Sequence, residues 1–188
     1  QLEAGRLNVV PSLDRIVVAV DPPVTSGDGA DECGIVVAGA ITRGAPQDWQ
    51  AVVLEDASIA KASPLAWARA TVAAAHRHGA DRVVAEVNQG GELVESLLRQ
   101  LDPTLSYRPV RAHRGKTARA EPVAALYEQR RVRHKRGLDD LEDQMCRMTR
   151  AGYAGKGSPD RVDALVWALT ELILGPAAAH RKPSIRSL

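Results

Sequence analysis

Residues 16–20, Ile-Val-Val-Ala-Val, form an apolar and largely β-branched run that closes on Asp21 and is followed at once by Pro22-Pro23. Proline fixes φ and has no amide N–H, so neither a helix nor a strand ladder continues through the pair. The run therefore predicts a short buried strand, Arg15 to Val20, with a carboxylate at its end. A second run, Val83 to Val87, carries Glu86 within it. An acid at the end of a buried strand loses its hydration, and a cation or hydrogen-bond donors must replace what it loses.

Around these runs the chain alternates strand and helix signals. Gly34 to Ile41 and Gln50 to Asp56 predict two further strands, joined by a hairpin connection that contains Gly44 and Pro46. Ser63 before Pro64 is a helix start, and Gly79 ends that Ala-rich helix. Arg82 to Val87 is the fourth strand, Glu92 to Gln100 a helix, and Leu105 to Arg111 a fifth strand. Helices follow over about Thr117 to Glu128, Leu138 to Met148 and Pro159 to Leu174, with a basic turn after the first. The order β-β-β-α-β-α-β-α predicts an α/β fold, a mixed five-stranded central sheet with helices on both faces. Residues 1–14 read as a linker, 15–175 as the domain, and 176–188 as a flexible tail.

Two cysteines, Cys33 and Cys146, are too few for a disulfide framework, and no N-terminal signal pattern is present, so a reducing intracellular setting is expected. No apolar run approaches the roughly 20 residues that span a bilayer. The formal net charge of +2 hides a split: the segment from Arg108 to Arg136 holds ten Lys or Arg against Glu121 and Glu128. One face suited to a polyanion and another rich in acids is the expectation.

Asp21, Glu86 and Asp163, the last in Ser158-Pro-Asp-Arg-Val-Asp-Ala164, are the candidate chemistry. If the first and fourth strands are neighbours, Asp21 and Glu86 converge, and Asp163 can join from the last helix. Such a trio can hold two hard divalent ions that bind both the attacking and the leaving oxygen of a phosphodiester. Each acid alone has a plainer reading: Asp21 capping a turn, Glu86 paired with an arginine, Asp163 favoured by a helix dipole. Asp160, three residues before Asp163, shares its helix face and is a further candidate. The loop acids Asp28, Asp31 and Glu32 read as solvated. Arg111, His113, Arg114, Lys116 and Arg119 suit phosphate contacts. Arg114-Gly-Lys-Thr117 is not a nucleotide loop, because Val110 stands where that motif needs glycine. The five histidines have no zinc spacing, and Trp49, Trp67 and Trp167 read as core.

Five blocks together resemble the C-terminal nuclease domain of the large terminase subunit of tailed bacteriophages and prophages. They are Val18-Ala-Val-Asp-Pro-Pro23, Asp31 to Gly39, Val84-Ala-Glu-Val-Asn-Gln-Gly-Gly-Glu92, Arg114 to Tyr127, and Ser158 to Ala168. The resemblance implies a ribonuclease-H-like endonuclease that cuts concatemeric viral DNA during packaging with two Mg²⁺ or Mn²⁺ ions. Asp21, Glu86 and Asp163 then correspond to the metal-binding catalytic triad, with Asp21 as the bridge and Asp160 where related enzymes can hold an accessory His or Asp. Arg111, Arg114, Lys116 and Arg119 are the expected DNA contacts. Double-stranded DNA is the implied substrate. The implied partners are the packaging ATPase domain of the same full-length protein, the portal and the small terminase subunit, in the host cytoplasm and without a membrane. A Holliday-junction resolvase of the same fold, and a non-catalytic DNA- or motor-binding module, are the alternatives.

Overall fold

A computed structural model describes residues 5–23, 32–87, 91–149 and 151–180. Seven strands form one mixed sheet: β1 (Arg6–Leu7), β2 (Arg15–Asp21), β3 (Gly34–Ile41), β4 (Gln50–Asp56), β5 (Arg82–Glu86), β6 (Tyr107–Val110) and β7 (Val132–Lys135). Their order across the sheet is β1-β7-β4-β3-β2-β5-β6. β3 pairs antiparallel with β2 and with β4, while the β2–β5, β5–β6, β4–β7 and β1–β7 pairs are parallel. A two-stranded ribbon of β8 (Met148–Thr149) and β9 (Gly152–Tyr153) lies apart from it.

The central strands are buried on both faces, which is why their sequences are continuous apolar runs and not alternations. Period-two geometry still divides them. Val17, Ala19, Val36, Ala38 and Val84 face α3 (Lys116–Glu128), α4 (Asp139–Cys146) and α5 (Asp160–Leu169). Val18, Val20, Ile35, Val37, Val83 and Ala85 face α1 (Pro64–His78) and α2 (Gly91–Leu101). α1 begins as expected, with the Ser63 hydroxyl accepting from the Ala66 N–H, and ends at Gly79 with φ of 57°. Trp49 and Trp67 are core residues on opposite faces. After α5 the helix widens into a π-helical turn, Thr170–Leu174, and continues as α6 (Gly175–His180).

Three expectations need correction. The sheet has seven strands, not five, because β7 forms where a basic turn was expected and β1 forms inside the expected linker. A buried side-chain network explains both additions. His134 on β7 bonds Glu142 through Nδ1 at 3.0 Å and the Tyr127 hydroxyl through Nε2 at 2.7 Å. Glu142 also accepts from Arg6 of β1, so the edge strand is tied to α4 across the sheet edge. The third correction lies at the C-terminal end, where α6 carries the helix to His180 in place of a tail from 176.

Candidate metal centre

Strand alternation decides which face Asp21 and Glu86 occupy. Asp21 follows Val17 and Ala19 on the α5 face of β2, and Glu86 follows Val84 on the same face of β5. The parallel register Ala19↔Val84 and Val20↔Ala85 brings the two strands to their acids in step. Both carboxylates are nearly buried.

The third element must approach closely for its acids to meet these two. Gly34, paired with Asp21 across the β2–β3 ladder, makes room: a Cβ there would overlap the Asp160 backbone carbonyl. Arg161 then fastens the start of α5 to the sheet. Its Nε donates to Glu32 at 2.8 Å, and a guanidinium nitrogen pairs with Asp56 at the end of β4. Asp160 and Asp163, one helical turn apart and flanking Arg161 and Val162, are thereby held over the end of β2. Replacing Gly34 with Ala is expected to push α5 away. We expect destabilisation of about 1–3 kcal/mol by thermal unfolding and a loss of roughly 10–100-fold in Mn²⁺ affinity by calorimetry. Unchanged affinity would show that the close approach does not set the site.

One oxygen each from Asp21, Asp160 and Asp163 lies within 4.8 Å of the others. Oxygen donors of this density suit a hard divalent cation, and a cation is already among them in the form of the Lys116 ammonium. Its Nζ is 2.5 Å from Asp163, 3.7 Å from Asp160 and 3.9 Å from Asp21, and 2.6 Å from the Ser158 hydroxyl. Burial, then repulsion from Asp163 and Glu86, pushes the Asp21 carboxyl up to about 8, against the opposing field of Lys116. Burial likewise raises Asp163, opposed by Lys116 and Arg119. Lys116 loses some charge preference to burial, yet the bond to Asp163 and the fields of Asp21 and Asp160 hold its pKa above the ordinary range.

Glu86 stands beside this trio in different company. Its Oε2 accepts from the Arg119 guanidinium at 2.9 Å and from the Trp167 indole at 2.6 Å. Arg119 also reaches Asp163 at 3.5 Å and stacks on the Trp167 ring with its central carbon 4.8 Å from the centroid. The pairing of Glu86 with an arginine, open from the sequence, is thus realised here, and Asp160 is drawn into the cluster with Asp21 and Asp163.

The expected DNA contacts separate into two groups. Lys116 and Arg119 are turned inward onto carboxylates, while Arg111 and Arg114 are exposed nearby. Much of the remaining basic segment is engaged elsewhere: Arg108 with Glu171, Arg131 with the Trp49 and Pro46 carbonyls, Arg133 with Gln50, Arg136 with Asn8. Asp28 and Asp31 lie outside the described residues, and Glu32 is not a solvated loop acid but the partner of Arg161. Four contributors escaped the sequence reading: Trp167, Ser158, Arg161 and Gly34. Arg161, a cation placed between two candidate ligands on one helix turn, was the signal that could have been followed.

The sequence matches the family model of the terminase RNase H-like domain over residues 18–172. The chain belongs to that family. Solved structures agree on the fold of this terminase domain. It is similar to the large terminase nuclease of thermophilic phage G20c with a TM-score of 0.60 and 16% identity, covering 84% of this chain and 82% of that one. The same nuclease with bound cobalt gives 0.61 at 15% identity, over 84% and 81% of the two chains. With bound magnesium it gives 0.60 at 15% identity, over 85% and 83%. Comparison with curated protein sequences finds no match. The terminase fold here is ribonuclease-H-like, with seven strands in its sheet. No helix among the described residues is long and apolar enough to cross a membrane.

Proposed function

We propose that this terminase nuclease domain is a divalent-metal-dependent endodeoxyribonuclease that cuts concatemeric viral DNA during genome packaging. The observation that carries the reading is the convergence of Asp21, Asp160 and Asp163 at the end of β2, in a fold of the terminase RNase H-like family. The magnesium- and cobalt-bound forms of the phage G20c nuclease support a divalent ion at a site of this fold.

Asp21, Asp160 and Asp163 would hold the metal. Glu86 supplies a further carboxylate whose direction is set by Arg119 and Trp167, as the outer hydrogen bonds of metal-ligating carboxylates commonly do. A bound pair of Mg²⁺ or Mn²⁺ ions would contribute Lewis-acid stabilisation of the phosphodiester and a more acidic attacking water. Before a cation arrives, Lys116 offsets part of the charge of the cluster. Its four-carbon stem is flexible, so the ammonium can leave the carboxylates and turn toward a DNA phosphate. Arg111 and Arg114, exposed at the entrance to α3, bind the backbone without reading sequence. Because burial and repulsion push the Asp21 carboxyl up to about 8, cation binding there should release a proton and strengthen as pH rises.

Supercoiled plasmid is the direct test. With Mg²⁺ or Mn²⁺ the wild-type protein should nick and linearise it. Chelator or Asp163→Asn should stop the reaction, and linear duplex should be cut as readily as a four-way junction. Cutting that survives both chelation and Asp163→Asn would end the metal reading, and a strong junction preference would move the assignment to a resolvase. The same reading takes double-stranded DNA as substrate. It also takes the packaging ATPase domain of the full-length protein, the portal and the small terminase subunit as partners, in the cytoplasm of the infected bacterium. We take the folded unit to include β1 and α6, wider than residues 15–175.

A further inference from the structure

Beside Arg119 a pocket of about 400 Å³ opens between α3 and the helical turns from Val166 to Gly175. Pro122, Trp167 and Leu174 give it an apolar floor, and Arg111, His113 and Arg114 stand along its rim. Arg119 forms the wall shared with the metal centre: NH1 holds Glu86 and NH2 reaches Asp163. The pocket thus combines an apolar lining with cationic side chains beside it. An extruded nucleobase presents the matching pair, a hydrophobic ring attached to an anionic phosphodiester.

We propose that this pocket is a nucleobase subsite, which receives the base of a nucleotide next to the scissile phosphate while Arg111 and Arg114 hold the adjoining phosphates. The identity of the ligand as DNA rests on the nuclease reading above. The geometry of the pocket does not. Taking a base out of the stack is least costly where it is already unpaired, so a free nucleotide is the simplest probe of the subsite.

The test is binding, measured in EDTA so that catalysis is not involved. Deoxyadenosine 5′-monophosphate is titrated against deoxyribose 5-phosphate, and the assigned Trp167 indole N–H resonance is followed by NMR. The nucleotide should shift that resonance saturably in the millimolar range, deoxyribose 5-phosphate should produce less than a tenth of the shift, and Ala118→Trp, which fills the pocket mouth, should abolish the response. Ala118→Ser should keep it, and circular dichroism checks that both variants fold. Equal shifts from the two ligands would mean a phosphate site only, and absence of a saturable nucleotide shift in the wild type would mean no subsite; either overturns the proposal. Should Ala118→Trp not fold, the wild-type comparison of the two ligands decides alone. Plasmid cutting with no nucleotide response removes this inference and leaves the nuclease reading standing. A nucleotide response without plasmid cutting does the reverse.

Discussion

Asp21→Asn is expected to abolish DNA cutting and, in the metal-free protein, to raise thermal stability. The loss follows from position. Asp21 is one of the three acids whose oxygens converge, and its carboxyl is repelled by Asp163, Glu86 and Asp160. Removing a metal ligand forfeits several kcal/mol of transition-state charge stabilisation, and at about 1.4 kcal/mol per tenfold this is a rate loss on the order of a thousandfold. The gain in stability follows from the same crowding. Burial and repulsion lift the folded-state pKa from 3.8 to about 8, so the folded protein keeps a proton that the unfolded chain gives up. Where the folded state binds more protons, stability falls as pH rises, here across the window from 3.8 to about 8, and the cost is complete above it.

An amide has no such cost. Taking about 2 kcal/mol of relief at pH 8, and about 2–4 °C per kcal/mol for a chain of this size, the variant should melt about 4–8 °C higher than wild type in EDTA. The difference should shrink toward pH 4. Divalent cation should raise the wild-type melting temperature, since anything that binds only the folded state stabilises it, and should do so far less for the variant. Calorimetry across pH with and without Mn²⁺ measures all three. A variant that melts lower than wild type at pH 8 would show that Asp21 is stabilised by its surroundings and is not under strain there.

Arg119→Met should cause the largest loss of stability of any single change at the site. The guanidinium is nearly buried and bridges Glu86 to Asp163, both more buried than itself. Deleting one member of a buried ionic set leaves the others uncompensated, at a cost of about 3–5 kcal/mol. That corresponds to a fall of about 6–20 °C in melting temperature. Arg119→Lys retains charge but has neither the fork that reaches two carboxylates nor the planar face that lies on Trp167, so it should recover only part. The double variant Arg119→Met with Glu86→Gln should also recover part, because one orphaned charge is gone. Urea unfolding in EDTA reports these values, and a loss below about 1 kcal/mol for Arg119→Met would show that the bridge is solvated and weak.

Both results bear on how much was legible beforehand. The strands β2, β3, β4 and β5 could be read from the chain because each is a continuous apolar run cut by proline, glycine or a polar turn, and such runs need no partner to be recognised. β7 could not. Val132-Arg-His-Lys135 is four residues long and mostly polar, and it is a strand only because His134 finds Glu142 and Tyr127 beneath it. β1 depends on that network in turn, through Arg6.

For the site, sequence alone determined the acids. Asp21 and Glu86 end buried strands, Asp160 and Asp163 share one helix turn, and these local facts follow from side-chain period and chain-breaking residues. Which acids meet was decided only in three dimensions, by contacts between residues far apart in the chain. Gly34 lets α5 approach Asp21, and Arg161 holds it there through Glu32 and Asp56. Arg119 and Trp167 engage Glu86, and Lys116 occupies the space between the three aspartates. Charge compensation is a property of distance, and periodicity along a chain carries none of the distances between its elements.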